Sequence, residues 1–199
     1  MTMNKILPAI LCALLALSGC RTGAPATDWT SDELALIGRD SSCFRVLTIA
    51  DRQDSLFLRG VSGVFSAADI ADPAYAALAE KMVATVTSPE QDGVGIAGPQ
   101  VGIARRVVAV MRYDKEGQPF EVFPNIRIAG TRGEKVPGPE GCLSVPDMRG
   151  DVERFQEITI SYTSPYTLND TLEVVKDYTA VIFQHECDHL DGILYIDRL

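Results

Sequence analysis

The spacing of apolar residues along the chain predicts two helices with a set of short strands between them. The first helix begins at Asp72-Pro73, because a capping Asp followed by proline at the first helical position is a typical helix start. It ends before Ser88-Pro89. Its apolar positions recur at helical spacing, at Tyr75, Leu78, Met82 and Val86. The second helix is predicted to be capped by Asp177 and to end at Gly192.

Between the helices, short apolar runs and alternating segments indicate strands. They lie at residues 106–111, 121–123, 158–162 and 171–175. Residues 93–100 are predicted to form a loop, in which Gly93 and Gly95 allow the backbone to approach a small ligand closely.

The strongest chemical signal is the segment Gln-His-Glu-Cys-Asp-His-Leu-Asp-Gly at residues 184–192. In a helix, His185 and His189 lie on one face and can bind one metal ion, while Glu186 leans toward a metal-bound water. This is the H-E-x-x-H pattern of zinc hydrolases. The chain has only two histidines, so the alternative is a helix in which both are incidental.

A metal site of this kind needs a third protein ligand, and the sequence restricts its position. No third histidine exists, and the ten residues after His189 offer only Asp191 and Asp197. Cys187 follows His185 by two positions, about 200° around the helix, and so points away from the metal. The ligand is therefore expected upstream.

Cys142 is the upstream candidate for that third ligand. It lies in a stretch of turn-forming and small residues at 137–146. Its thiolate would complete a Cys-His-His set with the fourth position open for water. A buried free cysteine is the alternative.

The order of the predicted elements indicates an α+β fold. We expect antiparallel strands wrapped around a central metal-binding helix. This arrangement would bring together Gln100, Cys142 and His185, which are far apart in the sequence.

Three motifs resemble those of the peptide deformylases and occur in that family's order. They are Gly-Val-Gly-Ile-Ala-Gly-Pro-Gln at 93–100, Glu-Gly-Cys-Leu-Ser at 140–144, and Gln-His-Glu-x-Asp-His-Leu-x-Gly at 184–192. The family pattern has alanine where this chain has Gly98, a change with at most a small effect on packing. The resemblance covers about residues 43–199. It implies the same architecture and a metal-dependent hydrolase that removes the formyl group from N-formylmethionyl peptides and releases formate.

The chemistry assigns Glu186 as the group that takes a proton from water and gives it to the leaving amine. The resemblance implies that the Gln100 side-chain amide and the Leu143 backbone N–H stabilise the oxyanion. It also implies that Val94, Gly95, Gly141 and Arg149 line the peptide cleft. Arg154 is expected to pair with Asp188, and a solvated surface is the alternative for both arginines.

The metal expected by resemblance is ferrous iron, and zinc or nickel are alternatives. An oxidising compartment threatens both Fe(II) and an unprotected thiolate. We therefore expect that zinc or another oxidation-resistant metal could replace iron if the domain is exported.

The N-terminus indicates export. Residues 1–20 hold Lys5, an apolar run and Leu-Ser-Gly-Cys, which resembles a bacterial lipobox with cleavage before Cys20. An uncleaved short membrane anchor is the alternative. We expect a tether over residues 21–40, a catalytic domain over 41–199 and a location in the cell envelope on the periplasmic side.

The net charge of −9 argues against binding to nucleic acid, which requires a positively charged surface. Membrane contact is expected through the lipidated Cys20 alone, and the protein is expected to be a monomer. Cys43 and Cys187 could pair in an oxidising compartment, although two free buried thiols are favoured.

Two other functions compete with deformylation. One is an envelope-anchored metallopeptidase that cuts internal peptide bonds, against which the upstream cysteine ligand and the two additional motifs count. The other is a non-catalytic peptide-binding lipoprotein of the same fold. The nature of the product, whether formate, internal fragments or neither, distinguishes the three.

Overall fold

The computed structural model describes residues 27–199. Within them the helices are α1 (Ser31–Ile37), α2 (Arg52–Leu58), α3 (Ala67–Ala71), α4 (Pro73–Val86) and α5 (Asp177–Leu190). The strands are β1 (Gly95–Ala97), β2 (Val107–Met111), β3 (Phe120–Pro124), β4 (Arg127–Cys142), β5 (Val145–Thr163) and β6 (Asp170–Lys176). Short 3-10 helices lie at Gly98–Val101 and Tyr195–Arg198.

The predicted early helix is confirmed as α4, but from residue 27 onward three more helices precede it. Asp72 caps α4 by accepting the N–H of Ala74 at 2.8 Å, and its apolar stripe is buried. Helices α1, α2 and α3 are only five to seven residues long, too short to show a helical period in the sequence.

The domain begins earlier than the sequence predicts. Helix α1 starts at a capping box in which the Thr30 side chain accepts the N–H of Glu33. Trp29 and Ile37 are buried in the core. The tether expected over residues 21–40 is therefore wrong from Trp29 to Ile37, because burial of these two apolar side chains holds the segment on the domain.

Strands β1, β2 and β3 form an antiparallel sheet that is covered on both faces. Val108 and Val110 belong to the core around α5, whereas Val107 and Ala109 belong to the core under the N-terminal helices. Successive residues of a strand face opposite sides, so burial on both sides explains why β2 is apolar throughout.

Strands β4, β5 and β6 form a second antiparallel sheet, dominated by the long β4–β5 hairpin. The alternation predicted at residues 158–162 is confirmed, because Ile158 and Ile160 are both buried. The turn-rich stretch expected at 137–146 is mostly strand, since β4 runs to Cys142 and only two residues form the turn before β5.

Helix α5 packs between the two sheets. Phe183 and Leu190 share one core with Val108, Ile158 and Ile160. The predicted α+β fold, with antiparallel strands around a central helix, is therefore confirmed.

Two local predictions are wrong. Residues 95–97 of the predicted loop form β1, because they pair with β2 from Gly95 opposite Val110 onward. Asp177 does not cap α5: β6 continues directly into the helix, so Lys176 occupies the cap position and no side chain caps it.

The expected signal peptide and Cys20 lie outside the described residues. No helix within residues 27–199 is long and apolar enough to cross a bilayer. Within this part of the chain Cys43 and Cys187 both have free thiols, but only Cys187 is buried, and Cys43 is partly exposed.

Candidate metal centre and active site

Helix α5 and strand β4 bring three potential metal ligands to one point. His185 and His189 lie one turn apart on α5, with ring centroids separated by 5.1 Å. Sγ of Cys142 is 3.1 Å from Nε2 of His189. One ligating atom from each of the three residues lies within 4.8 Å of the others, so their predicted convergence is confirmed.

Cys142 reaches the helix because it is the last residue of β4. It pairs with Val145 across the tight turn into β5, and Val145 is buried beside Leu194 and Tyr195. Packing of this turn against the end of the chain therefore fixes the half-buried thiol near the two histidines. Cys187 lies in the apolar core instead, as its position on the helix predicts.

Glu140 orients His185 and was missed by the sequence analysis. Its Oε2 lies 2.8 Å from Nδ1 of His185. Because an ionised carboxylate only accepts hydrogen bonds, Nδ1 carries the proton and Nε2 is the nitrogen left for a metal. Its place two residues before the predicted ligand Cys142 was the available signal, but the turn-forming residues around it gave no strand from which to infer a shared face.

Arg154 holds Glu140 in place and pairs with Asp188. Its guanidinium donates to both oxygens of Glu140 at 2.7 and 3.0 Å, and to Asp188 at 2.6 Å. Burial by itself would raise the pKa of Glu140, but the hydrogen bonds from His185 and Arg154 outweigh it and lower the pKa to about 2. The predicted pairing of Arg154 with Asp188 is confirmed, and Arg154 is only 4% exposed.

Glu186 presents a buried carboxylate without a fixed partner. No group of residues 27–199 hydrogen-bonds to its Oε2. Burial is the main cause that raises the pKa of Glu186 to about 7. A Cβ at position 95 would lie 2.5 Å from Oε1 of Glu186, so Gly95 makes room for this carboxylate. A carboxylate poised near neutrality beside the ligand cluster suits a group that accepts and returns a proton.

The Gln100 amide points at the ligand thiol. Its Oε1 accepts the backbone N–H of Ala97 at 2.8 Å, which leaves Nε2 facing the site. Nε2 lies 3.2 Å from Oγ of Ser144 and 3.6 Å from Sγ of Cys142. Gln100 is buried, so this N–H donor is held in place before any ligand arrives.

The electrostatics of the cluster favour a cation where the ligands meet. Burial tends to lower the pKa of His185, but hydrogen bonds to Cys142 and Glu140 raise it to about 10. Burial and the neighbouring His185 lower the pKa of His189. The cluster therefore favours one positive charge beside a neutral imidazole, and the three ligating residues fit a divalent metal that would replace that charge.

A cavity of about 700 Å³ opens onto the ligand cluster. The side chains of Gln100, Cys142, His185 and Glu186 line it together with the residues expected to bind peptide. Those residues are Val94, Gly95, Gly141 and Arg149. Leu143 lies on the same wall, beside the metal ligand Cys142. The structure thus brings the predicted site residues to one cavity, except for His189, which is buried behind the cavity wall beside Cys142.

A protein-family model described as "Polypeptide deformylase" matches residues 46–199. Peptide deformylase 2 from Nostoc sp. strain PCC 7120 is 42% identical over 137 residues, which is 66% of this chain and 75% of the relative. The peptide deformylase of Leptospira biflexa is 39% identical over 121 residues, covering 57% of this chain and 66% of that protein.

Solved structures agree with the sequence relatives. A class I type b peptide deformylase from Acinetobacter baumannii with Met-Ala-Ser bound has a TM-score of 0.68 and 34% identity. The match covers 79% of this chain and 98% of that one. The peptide deformylase of Thermotoga maritima has a TM-score of 0.67 and 31% identity, over 79% and 97% of the two chains.

Proposed function

The chain belongs to the polypeptide deformylase family, and we infer that it is a metal-dependent hydrolase that removes the formyl group from N-formylmethionyl peptides and releases formate. The observation that carries this inference is the meeting of Cys142, His185 and His189 within 4.8 Å, beside a buried carboxylate without a partner. No observation favours cleavage of internal peptide bonds or binding without catalysis.

Cys142, His185 and His189 would hold the metal. A divalent metal bound by such a set lowers the pKa of a water toward neutrality and so supplies a nucleophile. Glu186 accepts the proton of the attacking water at Oε2 and later donates it to the nitrogen of the leaving amine. Because Gly95 has no side chain, the carboxylate of Glu186 can approach the reacting amide.

The attacked formyl oxygen becomes negatively charged, and two donors are assigned to it. They are Nε2 of Gln100 and the backbone N–H of Leu143. The Gln100 amide is oriented by its bond to Ala97, so stabilising the oxyanion needs little rearrangement. Loss of one such donor typically raises the barrier by about 3–4 kcal/mol.

Residues around the cavity would hold the peptide. We assign Val94, Gly95 and Gly141 to contacts with its backbone and first side chain, and Arg149 to its later residues. The support for this assignment is their position on the walls of the cavity that Cys142 and His185 also line. The Acinetobacter baumannii enzyme was solved with Met-Ala-Ser bound, and we propose that a peptide of this kind occupies the cavity here.

Formate release tests the proposed activity. Residues 21–199 are purified anaerobically, loaded separately with iron, nickel or zinc, and given formyl-Met-Ala-Ser. We expect formate and free Met-Ala-Ser, and a loss of about 100-fold or more in kcat for Glu186→Gln. The metal content of the variant should equal that of the wild-type protein.

Two outcomes would contradict the proposal. Stoichiometric metal binding without formate release would favour peptide binding without catalysis. Fragments cut at internal peptide bonds would favour a metallopeptidase.

We propose ferrous iron as the metal by family membership, with zinc or nickel in its place where oxidants reach the site. The Cys-His-His donor set accepts all three metals. Metal analysis of protein isolated from its native envelope tests this choice, and iron alone would remove the zinc and nickel alternatives.

We also propose that the chain is a monomeric lipoprotein of the cell envelope, anchored by Cys20 with its catalytic domain on the periplasmic side. The support is the sequence of residues 1–20. Its substrates would then be formylated peptides outside the cytoplasm. Cells fed labelled palmitate should label the wild-type chain but not Cys20→Ala, and equal labelling would refute the anchor.

A further inference from the structure

The 3-10 turn Tyr195–Arg198 contacts the metal centre from outside it. Arg198 donates to both oxygens of Asp188, with Nε and Nη2 each at 2.5 Å. Asp188 lies next to the ligand His189 in α5, but its carboxylate also binds Arg154 at 2.6 Å. The turn is therefore joined to the buried ion pairs behind the ligands.

The ion pairs continue to the ring of a metal ligand. Arg154 binds Glu140 through two hydrogen bonds of 2.7 and 3.0 Å, and Glu140 binds Nδ1 of His185 at 2.8 Å. The side chains of Glu140 and Arg154 are about one-twentieth exposed, whereas that of Arg198 is 36% exposed. Charges alternate along this series, from Arg198 near the surface to the buried imidazole.

Charge balance shows why Arg198 matters to Glu140. Two carboxylates, Glu140 and Asp188, share the single cation Arg154. Arg198 neutralises Asp188, so the Arg154 guanidinium can give two of its three hydrogen bonds to Glu140. Without Arg198, Arg154 would be the one arginine left to both carboxylates, and Asp188 would compete for the donors that hold Glu140.

Tyr195 contacts the same histidine by stacking. Its ring lies 6.0 Å from the ring of His185 between centroids, at an interplanar angle of 26°. Tyr195 is buried, and it packs in one cluster with Val145, which pairs with Cys142 across the hairpin turn. One ring therefore restricts a histidine ligand and supports the hairpin that carries the thiol.

We propose that the turn Tyr195–Arg198 is a positioning element of the metal centre, in which Arg198 acts on His185 through Asp188, Arg154 and Glu140 while Tyr195 packs against the same ring. The proposal rests on the Cys-His-His site of the proposed function. Neither residue touches the reacting atoms, so both act by fixing the geometry of the ligands and with it the affinity for the metal.

Arg59, which directly follows α2, provides a matched control because it binds the same turn. It forms an ion pair with Asp197, and Asp197 also accepts the N–H of Leu194. Arg59→Gln and Arg198→Gln each remove one arginine that pairs with an aspartate and holds the turn. Of these two arginines, Arg198 is the one that binds Asp188. If the turn only stabilises the fold, both variants should have the same metal affinity.

The test is titration of apo protein with Co²⁺ and Zn²⁺, together with the absorption spectrum of the cobalt form and urea unfolding of the apo form. We expect Arg198→Gln to weaken metal binding by about 10-fold to 100-fold and to shift the cobalt bands. Arg59→Gln should change the metal affinity by no more than about 2-fold and should leave the cobalt spectrum unchanged. It should nevertheless destabilise the apo protein about as much as Arg198→Gln does.

Tyr195 is tested by a second pair of variants. Tyr195→Phe keeps the stacked ring and should retain the wild-type metal affinity, whereas Tyr195→Leu should lower it by about 10-fold. Equal metal affinities and spectra for Arg198→Gln and Arg59→Gln, or for Tyr195→Leu and Tyr195→Phe, would overturn the proposal. Formate release by the wild-type enzyme is measured separately, so failure of the proposed activity can be told apart from failure of this positioning role.

Discussion

Two buried arginines, Arg112 and Arg154, each hold several carboxylates, but their surroundings differ. Arg112 is 1% exposed, and its guanidinium lies over the rings of Phe123 and Phe183. Its partners are Asp114, Glu121 and Glu173, at 2.7, 2.8 and 2.5 Å. Between one quarter and one third of each of these acidic side chains is exposed, so water reaches the far side of the cluster.

Around Arg154 the acidic partners face the protein interior. The side chains of Glu140 and Asp188 are 6% and 12% exposed, and the free edge of Glu140 binds His185. Similar chemistry thus has different consequences. The carboxylates that bind Arg112 are otherwise hydrated, so they contribute to stability alone. Glu140 binds both Arg154 and His185, so it also orients that histidine.

The largest effect is expected from Arg154→Met. It leaves Glu140 and Asp188 without their shared cation, and removing one partner of a buried ion pair typically costs about 3–5 kcal/mol of unfolding free energy. The metal affinity should fall with it, because Glu140 loses the group that fixes it beside His185. Urea unfolding and metal titration measure the two effects, and unchanged metal affinity would contradict the comparison.

Arg112→Met should have a smaller effect that is confined to stability. The three carboxylates around it can take up water, so we expect a loss of about 3 kcal/mol, the low end for a broken buried pair. Metal affinity and kcat should stay near wild type in the folded fraction. A large loss of metal affinity would show that the Arg112 cluster also serves the site.

Gly95→Ala tests the one site carboxylate that no arginine holds. The added methyl would lie 2.5 Å from Oε1 of Glu186 and 2.8 Å from Cγ2 of Ile182. Such overpacking typically costs about 1–3 kcal/mol, and a displaced Glu186 should lower kcat more than metal affinity. Gly138→Ala is the control, because no atom lies within 4 Å of its added methyl; equal kcat for the two variants would refute this role of Gly95.

The smallest effect concerns acid stability on the Arg112 side. A hydrogen bond from Arg112 is the main cause that lowers the pKa of Asp114 below its ordinary value of 3.8. A carboxyl with a lowered folded-state pKa stabilises the fold above its unfolded-state pKa, and this stabilisation is lost as the pH falls below that value.

Asp114→Asn should therefore be less stable than wild type at neutral pH. The difference should shrink as the pH falls below about 4. Urea unfolding of both proteins across this range measures the effect, and a constant difference at every pH would show that Asp114 does not contribute through its charge.

Much of this protein is determined by sequence alone, because some signals are local. The spacing of His185, Glu186 and His189 depends only on helical geometry, and α4 follows from its cap and its apolar period. The alternating residues of β5 and the continuous apolar run of β2 identify strands without knowledge of their partners.

Tertiary structure decided the features that depend on partners distant in sequence. The helices α1 to α3 are stable through burial against the core and carry no period of their own. Glu140 and Arg198 are ordinary charged residues in the sequence, and the pairing of Arg154 with Asp188 was expected only from the family resemblance. These four residues work together only because the end of β4, the middle of β5, helix α5 and the last turn meet in one buried place, where low polarity makes each charge depend on its neighbours.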